Sequence, residues 1–253
     1  YHLPVMPELL DLKIYYSDAL ISIPTLKKLK SMRIHVCKEL SMISSVQPCL
    51  EEIILERCPK VSDLSFANRP MKLLKIRECN NVSDISMLGQ VKNLEINACI
   101  GVKSLTGITR TLPTGSSHNY HRKITLTDLP SVVHFSMLCS LHTLELYGMP
   151  RLIHCEGIHD INHLVIVECP NLLTTKGLRN IVNSITITSC VSLDTLVDIQ
   201  GVPEINIVYC EALTDYSNLK DHQVVMILGI PLSQQSFLQD QQHEKNIQTF
   251  VFT

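Results

Sequence analysis

Cysteine is the reactive residue that this chain repeats in a regular pattern. Ten cysteines occur in 253 residues, and seven stand at fixed intervals: Cys37, Cys58, Cys79 and Cys99 lie 21, 21 and 20 residues apart, and Cys169, Cys190 and Cys210 lie 21 and 20 apart. A column of thiols can form a disulfide ladder or a thiolate metal site. There is no CxxC pair of the kind that zinc and thioredoxin chemistry use. Residues stacked from one strand to the next keep a Cβ spacing of about 4.8 Å, beyond the roughly 3.5 to 4.5 Å of a disulfide. The reading that fits is a column of reduced thiols filling an interior. So many unpaired thiols point to a reducing compartment, and a cytoplasmic location is expected.

Histidine is the second candidate. His118, His121, His142, His154, His159 and His163 fall in one stretch, and His121, His142 and His163 step diagonally through successive units. Zinc needs three or four converging ligands, whereas the repeat frame points His121 inward and His163 outward, so no metal is expected. The chain has no GxSxG, HExxH, P-loop or glycine-rich dinucleotide loop, and nine glycines leave little backbone to cradle phosphate. Neither catalysis nor a cofactor is expected. The sequon Asn81-Val82-Ser83 is a single match that matters only in a secreted protein.

The spacing that organises the cysteines organises everything else. From Met71 the chain reads Met71, Leu74, Ile76, Cys79, Val82, Ile85, Leu88, and Val91 opens the next unit. The central pair recurs as Leu12/Ile14, Met32/Ile34, Ile53/Leu55, Leu74/Ile76, Leu94/Ile96, Ile124/Leu126, Leu144/Leu146, Leu164/Ile166, Ile185/Ile187, Ile205/Ile207 and Val225/Ile227, and all 22 positions are apolar. An imperfect twelfth unit is expected at Phe250/Phe252. A pair two apart puts both side chains on one side of a short strand with the residue between them pointing out. Proline follows the cysteine position at Pro59, Pro130, Pro150, Pro170 and Pro231, where the chain leaves the strand and needs no ladder N–H. Each unit then steps in threes, which fits a 3₁₀ or extended return segment better than an α-helix.

These repeats resemble the leucine-rich repeat family, over residues 9 to 230 and eleven successive units. Units such as the one opening at Cys79 are similar to the short internalin-like and protozoan types. Cysteine stands where the family usually carries asparagine in seven units, with Ser17, Leu129, Met149 or Ile230 in the others. The resemblance implies a mostly β repeat solenoid of the α/β type: a right-handed horseshoe of 11 to 12 coils with a parallel, concave sheet and little helix. It implies binding of another macromolecule on that concave face, and no chemistry.

The chain is expected to form a single domain over 1–253, with two departures from the period. About ten extra residues between Leu94 and Ile124 make 107–121 a loop, and 231–253 is a C-terminal cap region with a short helix expected over 233–246. The chain starts at Tyr1 without a polar cap, and an excerpt of a longer protein is expected. A net charge of -2 and a pI near 6.6 give no basic field for nucleic acid. No apolar run approaches the roughly 18 to 20 residues of a membrane span, so no membrane insertion is expected.

The outward strand positions are the functional signal. Lys13, Arg33, Ile54, Lys75, Glu95, Thr125, Glu145, Val165, Thr186, Asn206 and Met226 occupy the middle slot, and Tyr15, His35, Glu56, Arg77, Asn97, Thr127, Tyr147, Val167, Thr188, Val208 and Leu228 the next. The face runs from charged and partly basic, through polar, to apolar. The expected function is a non-enzymatic protein-binding module, part of a larger receptor, scaffold or effector. Arg33, Lys75, Arg77, Glu95, Glu145, Tyr147 and Tyr209 are its candidate contacts, and the partner is another protein. The alternatives are the substrate-recognition arm of a ubiquitin-ligase-type protein and a cell-surface adhesin.

Overall fold

The structure, a computed structural model, describes residues 1–108, 121–135, 138–219, 224–229 and 247–249. The chain packs as two compact units, Tyr1–Val133 and His134–Thr253. Each is a β-solenoid whose regular elements are strands apart from short 3₁₀ turns, and no α-helix occurs among the described residues.

In the first unit the sheet strands are β1 (Asp11–Tyr15), β3 (Ser31–His35), β5 (Glu52–Glu56), β6 (Met71–Arg77), β7 (Val91–Asn97) and β8 (Lys123–Thr127), paired in that order and all parallel. Two short strands, β2 (Ser22–Ile23) and β4 (Met42–Ile43), pair on the return side of the coils. In the second unit β9 (Leu138–Tyr147), β10 (Ile158–Val167), β11 (Arg179–Thr188), β12 (Glu204–Val208), β13 (Val224–Leu228) and β14 (Ile247–Thr249) likewise pair in parallel. Registers align the apolar pairs: Leu74 faces Leu94 and Ile76 faces Ile96; Leu164 faces Ile185 and Ile166 faces Ile187. Apart from half-buried Ile14 in β1, every residue of the eleven pairs is buried.

A feature that the spacing does not display appears where each strand ends. The residue before each cysteine position is left-handed: Tyr16, Val36, Arg57, Glu78, Ala98 and Asp128 in the first unit, and Gly148, Glu168, Ser189, Tyr209 and Gly229 in the second, all with φ between 49° and 70°. For an L-residue this conformation costs about 1 to 2 kcal/mol, most for a β-branched one such as Val36. It persists because it aims the N–H at the next coil: Val36 donates to the Glu56 carbonyl, Arg57 to Arg77 and Glu78 to Asn97, each at 2.9 Å. One tight turn follows, with Val61 donating to the Cys58 carbonyl at 3.2 Å and Val82 to Cys79 at 3.1 Å.

Three return segments carry 3₁₀ turns, at Ser65–Ala67, Ser86–Gln90 and Ser217–Leu219, and others are extended, as at β2 and β4; the steps of three fit both forms. An aspartate two residues earlier opens each 3₁₀ turn: the Asp63, Asp84 and Asp215 carboxylates accept from the N–H of Ser65, Ser86 and Ser217 at 2.8 to 2.9 Å. After the extra residues that follow Leu94, the buried Arg122 guanidinium donates to the Val91 and Leu88 carbonyls at 2.8 and 3.1 Å, tying the re-entering coil to the one before. Residues 109–120 of the expected loop, the helix expected over 233–246 and the pair Phe250/Phe252 lie outside the described residues. β14 nevertheless places the twelfth strand earlier than expected, since Val225 pairs with Ile247 and Ile227 with Thr249.

The alternation has a direct test. Leu164 is fully buried while Val165 faces outward and is half-buried. Leu164→Asp should abolish folding or lower stability by about 3 kcal/mol or more, and Val165→Asp by about 1 kcal/mol or less. Urea midpoints of the two variants measure the contrast; equal losses would contradict the half-buried strand.

Candidate functional site

The cysteines resolve into a structural column. All ten are free thiols, and nine are buried. In every one of the seven column positions the S–H donates to the carbonyl two residues earlier: to Asn97 from Cys99 at 3.3 Å, to Glu56 from Cys58 and to Arg77 from Cys79 at 3.4 Å, and to His35 from Cys37 at 3.9 Å. Val167, Thr188 and Val208 receive Cys169, Cys190 and Cys210 at 3.5 to 3.6 Å. Each of these carbonyls is the one that already accepts the left-handed N–H of the preceding coil. The thiol therefore takes the second lone pair.

Burial pushes the Cys37 and Cys99 thiols above their ordinary range and Cys155 up to about 12; contact with Cys169, together with burial, raises Cys190 to about 12. These groups are protonated packing elements with no nucleophilic character. Cys49 is the exposed thiol. Native protein should therefore label one cysteine rapidly with a maleimide, at position 49, and all ten after denaturation. Rapid native labelling of Cys58, Cys79 or Cys190, read by peptide mass, would overturn the column.

The histidine diagonal does not converge. His121 is exposed, contrary to the inward placement of the repeat frame, and Arg122 beside it is the buried residue. In the second unit the His142 and His163 rings meet edge to face at 5.2 Å. Their nitrogens are engaged by neighbours: Asn162 lies 3.2 Å from His142 Nδ1, and the Ser184 hydroxyl 2.9 Å from His163 Nδ1. Among the described residues no group of three or more His, Cys, Asp or Glu side chains is placed to hold a metal. An open cleft of about 510 Å³ in the second unit is walled by Glu156 and Asp198 against Lys176 and Arg179, with His159 at its side and two glycines, Gly157 and Gly177, in the wall. His159 Nδ1 lies 2.8 Å from the Asp160 carboxylate, yet no serine, threonine or cysteine lines the cleft to act with that pair.

The open face of the sheet differs between the two units. In the first, Glu95 is the hub of an ion-pair cluster. Its carboxylate meets Lys75 Nζ at 2.7 Å and Arg77 Nε at 2.9 Å, and Arg77 Nη2 closes the fork. His35 sits 3.6 Å from Glu56, and its ring is packed edge-on by Tyr16 at 5.2 Å. Lys13 pairs with Asp11 at 3.1 Å. Arg33 is exposed and has no ion pair among the described residues.

Of the candidate contacts, Lys75, Arg77 and Glu95 are thus joined to one another, and Arg33 stands apart from them. In the second unit Glu145 and Tyr147 lie on adjacent outward slots of β9. Tyr209 is 52% exposed but occupies the left-handed turn after β12, with its ring against Gly229, where an added Cβ would come within 2.2 Å of Tyr209 Cδ1.

Two rows run across the second unit in register. One is Tyr147, Val167, Thr188, Val208 and Leu228; the other is Glu145, Val165, Thr186, Asn206 and Met226. All ten are half-buried, and only Glu145 carries charge. Sequence reasoning places weight on the charged end of the face; register gives this strip, with its single charge, equal standing.

Burial alone would push the Glu95 carboxyl up, but the bonds from Lys75 and Arg77 outweigh it and hold the group below its ordinary value of 4.5. Its stabilising effect is therefore complete above the ordinary glutamate range and is lost as pH falls through the lower folded value. Glu95→Gln should lower stability by about 1 kcal/mol at pH 7 and flatten the acid limb of a stability–pH curve. An unchanged limb would remove Glu95 from that role.

Comparison with protein-family models, with curated proteins and with solved structures finds no match to this chain. Among the described residues no helix is long and apolar enough to cross a membrane.

Proposed function

We propose that this chain is a non-catalytic protein-binding module of the leucine-rich-repeat type, acting through the open face of its parallel sheet. The observation that carries the reading is the register of outward side chains. Strand by strand, in each unit, they form continuous rows on a scaffold whose inward side is filled by apolar pairs and thiols. Neighbouring strands stand about 4.8 Å apart, so four or five of them present one patch to a partner. A protein partner fits a face that mixes ring, aliphatic and ion-paired groups; nucleic acid would need a basic stripe, and Lys13, Lys75 and Arg77 on this face are each paired with a carboxylate. The free thiols favour a reducing compartment such as the cytoplasm.

The test is capture of partners on immobilised protein, followed by substitutions on and off the face. Arg33→Ala and Tyr147→Ala should each weaken the captured complex about tenfold or more at unchanged melting temperature. Leu173→Ser, at an exposed apolar residue on the return segment, should be silent. Loss confined to Leu173→Ser would move binding off the sheet and discard the proposal.

A further inference from the structure

The two rows of the second unit, uncharged apart from Glu145 at one end, have the dimensions and borders of a specific kind of docking surface. Resting on the sheet-face reading above, we propose that they receive a basic amphipathic helix of a partner protein, laid across β9 to β13. Three observations lead there.

The first is size. Five strands and two rows cover about 24 by 14 Å, roughly 330 Å². A stable complex between two folded surfaces buries about 800 Å² on each side, so the strip is too small to hold a second copy of this chain and suits a single segment.

The second is spacing. Along a row the side chains of Tyr147, Val167, Thr188, Val208 and Leu228 repeat once per strand, at about 4.8 Å. A helix presents one apolar position per turn, every 5.4 Å or about that, and drifts by little more than half an ångström per strand. An extended segment presents same-side residues about 6.7 Å apart and loses register after two strands. A helix of about sixteen residues spans the strip.

The third is charge. Exposed carboxylates border the strip, Glu168 in the turn column after β10 and Glu204 at the start of β12, and Glu145 ends one of its own rows on β9. Glu168 has no ion pair among the described residues. On these five strands the one lysine or arginine is Arg179, at the far end of β11 from Thr188. The border favours lysine or arginine flanking the apolar stripe of the occupant and disfavours an anionic membrane surface. In the row next to the strip Ser184 is bonded to His163 at 2.9 Å, and the Glu204 carboxylate accepts from Asn206 of the strip at 2.8 Å, which fixes that carboxylate at the strip's edge.

The experiment uses a blocked, fluorescent peptide of about sixteen Leu, Ala and Lys residues, with leucine at helical i, i+3, i+4, i+7 spacing, and the whole chain. Fluorescence anisotropy should show saturable binding. Val167→Lys and Val208→Lys should each weaken it at least tenfold, Glu168→Gln should weaken it a fewfold at low salt, and a scrambled peptide of the same composition should bind at least tenfold less well. Two variants guard against one failing to fold, and melting temperature reports that directly. Equal binding of the scrambled peptide, no binding of the helical one, or indifference to both lysine variants overturns the helix. If Val167→Lys releases a captured partner while the helical peptide does not bind, the helix fails and the sheet-face reading stands; if neither responds, both fail.

Discussion

Within each unit, successive coils are joined at the strand end by one carbonyl oxygen that, in seven coils, has two donors. The last residue of a strand accepts the N–H of the left-handed residue from the preceding coil and, in seven coils, the S–H of its own cysteine. This arrangement turns the chain out of the sheet at the same point in every coil, and the registers of the sheet follow from it. The left-handed residues are strained, yet the strain is local. An inter-coil hydrogen bond contributes about 0.5 to 1.5 kcal/mol, and burying each inward aliphatic side chain contributes about 1.5 to 3 kcal/mol. The burial that the turn makes possible outweighs what the turn costs.

Cysteine suits the position because the interior there is narrow and apolar. A thiol is small, tolerates full burial, and offers one weak donor to the remaining lone pair. Leu129 and Met149 occupy the same column, also fully buried, without any such donor. The backbone bond therefore defines the turn, and the thiol supplements it. Burial raises the Cys37 and Cys99 thiols, while contact with a neighbouring column thiol lowers Cys58 and Cys169; all seven are enclosed by the coil, and burial keeps reagents from them.

A regular inner side leaves the outer side free to vary. In the first unit that freedom is spent on ion pairs centred on Glu95, whose carboxylate is only 18% exposed and binds two cations. In the second unit the same slots hold valine, threonine, leucine, methionine and tyrosine, with one asparagine and one glutamate. The ion pairs satisfy their own charges, whereas half-exposed aliphatic rows gain most when a partner removes them from water. Identical strand geometry thus presents two chemically different surfaces.

Periodicity of residue type was enough to establish the repeat, the strands, the inward pairs and the buried thiols, because a side chain two positions along a strand must return to the same side and burial selects apolar residues there. Ile14 is the exception, an inward residue left half-buried in the first strand, where no further strand packs over it among the described residues. The left-handed turn was not legible, since the column holds Tyr, Val, Arg, Glu, Ala, Asp, Ser and only two glycines; it is imposed by hydrogen bonds to the neighbouring coil and leaves no residue signature. Nor was the state of the candidate contacts. Lys75, Arg77 and Glu95 read as three separate outward charges until strand pairing brings them onto one carboxylate. Tyr209 reads as part of the face until the turn lays its ring on Gly229. Composition and spacing decide which side a residue faces; only the pairing of one coil with the next decides what it touches there.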